Sequence, residues 1–585
     1  MNQKNLPDYD VAVIGGGAGG LYTAWRMLLD GAESSEQLQN WIAERGSLKI
    51  GIFEMSDRIG GRVLSAKAPG LPDTVCEIGG MRFVSSQRYV ASLVQNHLKL
   101  PVHEQAVDEP NNICYLRGKK LRTGDLSNPD HLPYHLSEEE NEWLSKVPYL
   151  NTAANFLGYA VLKIFPMIQE QNLSGDELRE WLMEQKDPKD SNIPLYEVGF
   201  WNLIAPVLSH EAYQIAITTV GYDCLGFNTN AVDTIVELFD FVPGVKYYLL
   251  DQGYDSMLWI LQEQFEQAGG DVLTKMHFRG FDTIQLQDES TGVELDFHNL
   301  TNPITARAIV LAMPQRSINL LDRKGPILDW NTQTGQQTRF LLNSVEPIHL
   351  YKMFIAYPYP WWEELGVTQG RSLTDTPIRQ CYYWATEKGN ETHPKNTNSI
   401  IMVYNDAKSS DFWGGLRHIP LGPGDTESQF STRKFKRQEM PFAAEIEAAD
   451  QQQNNPWEDK LKQNWKISEA PAEMVEEMHR QLCIMHEVNI EDVPKPIEAA
   501  FKDWADDPYG GAVHFWNPGY NSTKTMNAII QPVDSVPCYI CGEAYSQTQT
   551  WVEGAFETAE LVLSKFGIPN PKWLTKNGEN NKCKD

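Results

Sequence analysis

The first apolar run, Val11 to Ile14, carries no polar interruption, which is the pattern of a strand buried on both faces. The run Leu48 to Phe53 predicts its parallel neighbour. Between them lies Gly15-Gly16-Gly17-Ala18-Gly19-Gly20, a G-x-G-x-x-G turn that predicts a tight strand-to-helix junction. Glu54 follows Gly20 by 34 positions, against the usual spacing of about 20 in this kind of unit. The surplus, Asp30-Gly-Ala-Glu-Ser-Ser-Glu-Gln, is polar. Ser34 with Gln37 resembles a capping box for an extra surface helix over about 35–45, so the insertion leaves the turn intact.

Further along, residues 130–245 read as mostly helical, with starts at Ser137-Glu-Glu-Glu and Ser174-Gly-Asp-Glu. Gly253-Tyr-Asp-Ser-Met-Leu-Trp-Ile-Leu opens another helix. Asp271-Val-Leu-Thr and Ala308 to Pro314 read as strands returning to the first sheet, and Leu350 to Ala356 and Arg379 to Trp384 as strands of a second. Residues 405–465 are polar and predict a long surface excursion, and the tail after Trp573 predicts disorder. No internal repeat is present. The pattern predicts an α/β (α+β) fold with a discontinuous dinucleotide-binding domain (1–70, 246–330, 500–585), an inserted mixed-sheet domain (71–130, 331–499) and a helical domain (131–245).

A net charge of −28 leaves no basic face for nucleic acid and disfavours anionic membranes. The N-terminal ten residues hold no apolar signal core, and the apolar stretch Phe156 to Ile168 is short and contains Lys163, so a cytoplasmic chain without a membrane span is expected. Eight cysteines in 585 residues do not make a disulfide scaffold. Cys538 and Cys541 sit in a strand-like run and read as a buried, inert pair. His479, Cys483 and His486 share a helix face beginning near Ser468, but the stripe Val475, Met478, Leu482 and Met485 beside them reads as a packed face rather than a metal site.

The candidate chemistry lies in the glycine-rich segments. The helix opened by Gly15, Gly17, Ala18, Gly19 and Gly20 offers free amides to a pyrophosphate, and Glu54 can accept hydrogen bonds from a ribose diol. Gly60-Gly61-Arg62 then moves the reading from nicotinamide to flavin, because paired glycines let the backbone pass a bulky cofactor and Arg62 can neutralise phosphate.

Four further motifs follow in order: Gly79-Gly80-Met81-Arg82-Phe83, Tyr351-Lys352 with Trp361-Trp362 after it, Cys541-Gly542-Glu543-Ala544-Tyr545, and Trp551-Val552-Glu553-Gly554. With the first two motifs, this ordered set resembles the flavin-dependent amine oxidase superfamily, and within it the L-amino-acid oxidases. The resemblance spans nearly the whole chain except the insertion near 30–46, the segment 405–465 and the tail. It implies FAD as cofactor, held by the glycine turn, Glu54, Gly61, Arg62, Gly80, Met81, Arg82, Gly542, Glu543, Trp551 and Val552. It implies that Arg82 takes the substrate α-carboxylate, a task suited to a planar guanidinium. A tyrosine partners this arginine; Tyr382 and Tyr383 are both candidates, and alternation along a strand allows only one to face the flavin. Lys352 is expected to reach flavin N5 through a water, and Trp551 to wall the amine channel.

Thr550 stands where the family commonly has glycine, which narrows that wall. Trp384, His514, Phe515, Trp516, Phe200 and Trp201 are further candidate walls, and Asp506 or Asp507, with the acidic surface, lean slightly toward arginine or lysine as substrate. The implied reaction is hydride transfer from Cα to flavin N5 with no initiating base, giving 2-oxo acid, ammonia and hydrogen peroxide from an L-amino acid and oxygen. An amino-acid 2-monooxygenase and an oxidoreductase acting on amines are the alternatives. A homodimer is expected by family analogy.

Overall fold

The strand Tyr9–Ile14 is buried at every position and lies between two parallel neighbours, Ile50–Phe53 and Ile304–Leu311. The structure, a computed structural model, describes residues 6–146, 152–240, 245–388, 397–416, 455–505 and 511–574. Asp271–Leu273 extends the sheet in parallel beyond Ile50–Phe53, and Cys538–Ile540 pairs in parallel with Ile304–Leu311. Thr291–Phe297 and Phe278–Gln285 add an antiparallel ribbon. Strands from the start, middle and end of the chain therefore share one sheet. The helices Ala18–Arg26, Ser256–Gln267 and Val552–Lys565 cover one face, joined by Tyr22 stacking on Phe556 at 4.3 Å and by the buried Arg26–Glu560 ion pair at 3.2 Å.

The second sheet runs in the order Glu498–Asp503, Leu350–Tyr357, Ser399–Asp406, Gln380–Thr386, Arg371–Thr374, Ile113–Leu116, Lys119–Arg122. It is antiparallel except where Arg371–Thr374 meets Ile113–Leu116. Leu350–Tyr357 is interior to this sheet, so Lys352 is not an edge residue facing solvent. A separate core gathers the helices of residues 138–240 around Phe156, Leu178, Ile204, Ile215 and Ile235. Its first helix, Glu138–Lys146, has reciprocal caps: Glu140 N donates to Ser137 Oγ at 3.3 Å, and Ser137 N donates to a Glu140 oxygen at 2.9 Å.

Two expectations change. Ser34 is not the cap of the inserted helix: its hydroxyl turns back to Asp30 O at 2.7 Å, and Ser35 caps the helix Glu36–Arg45 by accepting from Leu38 N at 3.2 Å. The segment 405–465 is not a surface excursion at its ends. Ala407–Gly414 buries Trp413, whose indole donates to Pro377 O, and Pro456–Ile467 buries Leu461 and Trp465. In both, a few large apolar residues set into a polar sequence anchor a helix. Residues 417–454 and 575–585 lie outside the described residues, as do Asp506 and Asp507.

The helix near Ser468 begins at Ala472. On it, His479 bonds the Tyr357 hydroxyl at 3.0 Å and His486 bonds Tyr383 at 2.7 Å, so these side chains serve packing. No cluster able to hold a metal occurs among the described residues. Cys538 and Cys541 are free and buried, and burial pushes both thiols up, Cys541 to about 12. Among the described residues, no helix is long and apolar enough to cross a membrane.

Candidate active site

Both sheets and the helical segment front a cavity of about 520 Å³. At one end the strand Tyr9–Ile14 delivers the N-terminus of Ala18–Arg26, whose cap residue Gly17 contributes no side chain; Trp551 likewise leaves the N-terminus of Val552–Lys565 without a side-chain cap. Two sets of free helix amides thus border one space lined by Gly15, Gly17, Ala18, Gly19, Gly542 and Val552. Close backbone approach explains the glycines. Gly61 has φ +56°, and a Cβ there would stand 3.0 Å from Gly17 Cα. Gly542 has φ +141°, and a Cβ there would find nothing nearer than Met313 O at 4.0 Å, so it would intrude on the cavity. Gly20 does not line the cavity: its Cβ position is 2.0 Å from Gly15 O, so it serves the packing of the turn.

Glu54 accepts from Gly16 N and Ser56 N, each at 2.8 Å, which fixes its carboxylate at the cavity wall with lone pairs to spare for a diol. Arg62 donates to Glu543 at 2.7 Å and to Ala512 O at 2.6 Å. Glu543 also accepts from His514 N at 2.8 Å and Thr550 N at 3.3 Å. Burial opposes its charge, but Arg62 and His514 outweigh burial and hold the carboxyl down at about 2. A carboxylate locked between an arginine and backbone amides is a rigid acceptor at the edge of the cofactor space.

Mid-cavity, Lys352 is 4% exposed and donates to Gly79 O at 2.5 Å and Glu77 O at 3.2 Å, with its nitrogen 4.9 Å from the Tyr404 ring centroid. Burial lowers its pKa; nearby Glu77 resists that shift and Arg82 adds to it. Burial and Asp255 in turn raise Glu77, whose oxygens accept from the Ser65 hydroxyl and Tyr254 N at 2.8 Å each.

Beyond Lys352, Arg82 is 7% exposed. Its guanidinium lies 4.0 Å from the Tyr247 ring centroid, and one nitrogen donates to Gln105 Oε1 at 2.9 Å. Its Nε has no partner, and no carboxylate pairs with it among the described residues. Tyr382 lies on the Arg82 side of its strand, ring centroid 5.8 Å from the guanidinium, but stands behind it rather than on the cavity wall, its hydroxyl donating to Gln380 at 3.2 Å. Tyr383 faces the opposite core, bonded to Ser372 and His486. The pleat therefore separates the two tyrosines.

Several aromatic candidates are structural. The Trp384 indole donates to Val75 O at 2.8 Å and packs edge-on to Phe354; the Trp516 indole donates to Ser546 O at 3.0 Å; the Trp201 indole donates to Leu225 O. None of the three lines the main cavity, and neither does His514, whereas Phe200, Phe515, Thr550 and Trp551 do. Residues missed in the sequence also line it: Arg371, Tyr222, Tyr247, Tyr404 and Glu237. Arg371 is held by Asp108 at 3.0 Å and Gln380 at 2.9 Å, so it is already neutralised. Tyr404 sits opposite Lys352 on the neighbouring strand, a pairing set by the sheet.

Comparison with known proteins agrees with this geometry. The flavin containing amine oxidoreductase profile matches residues 18–417. Achacin of Lissachatina fulica is 23% identical over 95% of this chain and 93% of its own. The L-amino acid oxidase Bs29 of Bothriechis schlegelii is 20% identical over 70% of this chain and 71% of its own. Among solved structures, cyclohexylamine oxidase from Brevibacterium oxydans aligns over 96% of this chain and 99% of its own, with a TM-score of 0.57 at 16% identity, a likeness of fold. FAD is the cofactor, and the two uncapped helix N-termini, the glycine cradle and the fixed carboxylates of Glu54 and Glu543 fit it. A profile match over most of the chain, on a fold and cavity of this kind, makes the chain a member of the flavin containing amine oxidoreductases.

Proposed function

We propose that the protein is an FAD-dependent L-amino-acid oxidase. The observation that carries this reading is Arg82: a permanently charged guanidinium, buried in the cavity wall, with no carboxylate partner among the described residues. An uncompensated buried cation is costly, and a substrate α-carboxylate would supply the missing charge through paired hydrogen bonds. A simple amine has nothing to offer it.

When bound, FAD would supply the redox chemistry of a two-electron acceptor that oxygen reoxidises, so that an L-amino acid, water and oxygen would give 2-oxo acid, ammonia and hydrogen peroxide. The chain's residues orient and polarise. Arg82, braced by Tyr247 and backed by Tyr382, fixes the carboxylate end. Lys352 places a positive charge mid-cavity, held by two backbone carbonyls rather than by a salt bridge, which leaves the charge free to favour developing anions. Trp551 and Thr550 form a wall of the same space.

Anaerobic mixing of the holoenzyme with each L-amino acid, followed by flavin absorbance, tests the reading. Bleaching by a subset, then stoichiometric peroxide on admitting air, is expected. An amide in place of peroxide would identify a 2-monooxygenase instead, and a flavin that no amino acid bleaches would overturn the proposal.

A further inference from the structure

We infer that Glu237 selects the substrate side chain by pairing with its terminal cation, which makes lysine- and arginine-like L-amino acids the preferred substrates. The inference rests on the reading of Arg82 given above and adds the other end of the ligand.

Glu237 lies on the helix Ala231–Asp240 and lines both the main cavity and an adjoining one of about 280 Å³. Two of the carboxylates around it are occupied. Asp233 is bonded by Arg179 and by the Ser522 hydroxyl at 2.8 Å, and Glu553 accepts from Tyr89 N and Val90 N at 2.8 Å each. Among the described residues Glu237 feels burial and the charges of Asp240, Asp233 and Arg179, with no hydrogen bond to hold it. Burial, then Asp240 and Asp233, push its carboxyl up to about 7, while Arg179, already engaged by Asp233, opposes this weakly. A ligand cation would reverse that penalty.

The wall of the main cavity therefore carries, besides Lys352, Arg82 and Glu237, charges of opposite sign each without an ion-pair partner among the described residues. The helical segment around Glu237 adds Leu157, Phe200, Val220, Leu225 and Leu238 to that wall. Apolar side chains of this kind suit the methylene stem of lysine or arginine, whose charged head needs a partner. The charged groups bearing on Glu237 are Asp233 and Asp240 on its own helix, Arg179 on Gly175–Glu184, and Glu553 across the second cavity, with the Cys224 thiol beside it.

L-Lysine and L-norleucine, which differ by one terminal ammonium, provide the test. At pH 8.5 the holoenzyme should favour lysine in kcat/KM by at least about tenfold, the scale of one charge-assisted contact. Glu237→Gln should reduce the lysine-to-norleucine ratio by at least about tenfold. The wild-type ratio should also fall as pH drops through about 7, because protonated Glu237 loses its charge. Titration of Lys352 acts on both substrates and largely cancels in the ratio, so this profile keeps the test valid if the variant does not retain FAD. A ratio near one, or a ratio unmoved by both Glu237→Gln and pH, overturns the inference while the oxidase reading stands. If neither these nor any other L-amino acid bleaches the flavin, the oxidase reading itself fails.

Discussion

The Arg82 guanidinium stacks 4.0 Å from the centroid of Tyr247, and no carboxylate among the described residues neutralises it. An aromatic face steadies a cation without cancelling its charge, so the guanidinium stays available to an incoming anion. Replacing it should therefore harm ligand binding more than folding. Arg82→Ala should raise KM for the best amino acid by about 100-fold, the loss of a bidentate charged contact, with FAD content retained. An unchanged KM would show that the carboxylate binds elsewhere.

Lys352 tests the second cation. Its charge is opposed by burial and supported by Glu77. Lys352→Met should slow the oxygen reaction of the reduced enzyme by about 10-fold or more, and should slow anaerobic reduction by amino acid less. Because a lysine with a lowered pKa loses its proton as pH rises, wild-type reoxidation should decline at high pH and the variant should be flat. Rapid mixing of the reduced enzyme with oxygenated buffer across pH measures both.

Thr550 holds φ at +71°, a conformation that β-branched residues rarely adopt, at the cavity wall beside Trp551. The strain costs about 1–2 kcal/mol. Thr550→Gly removes it and deletes the methyl and hydroxyl from the wall. The variant should melt no lower than wild type and should accept β-branched amino acids with higher kcat/KM. A clear fall in Tm would mean that the threonine side chain is held by contacts worth more than the strain.

Glu543 links the cavity wall to pH. Its folded pKa, about 2, lies below the ordinary carboxylate value of 4.5 because Arg62 and His514 outweigh burial. The stabilisation is complete above the unfolded value and is lost as pH falls from about 4.5 through 2, on the order of 3 kcal/mol in all. Glu543→Gln should flatten this part of the acid-unfolding curve and weaken FAD retention. Urea midpoints at pH 6 and pH 3 for the two proteins check it.

Much of this architecture was legible from local pattern. Val11 to Ile14 reads as a strand buried on both faces and is one, and Gly15, Gly17, Ala18, Gly19, Glu54, Gly61, Arg62 and Lys352 border the cavity. What escaped was set by long-range packing. Tyr382 and Tyr383 are adjacent in sequence, and only the sheet assigns them to opposite cores. Trp384 and Trp516 resembled pocket walls because large aromatics suit either role, but their indole nitrogens are spent on the carbonyls of Val75 and Ser546. Arg371 reaches the cavity through a parallel pairing with Ile113–Leu116 that no spacing reveals. Glu237 sits on an amphipathic helix, where a charge ordinarily marks the solvated face.

The most direct test of the central claim compares an amino acid with the amine left when its carboxylate is removed, L-norleucine with pentylamine and L-lysine with cadaverine, by anaerobic stopped-flow reduction of the holoenzyme. The account predicts flavin bleaching by the amino acid of each pair, faster with lysine, and reduction by the corresponding amine slower by about 100-fold or more. Reduction by the amine as fast as by the amino acid would contradict the assignment of Arg82 and make the protein an amine oxidase with no use for a carboxylate.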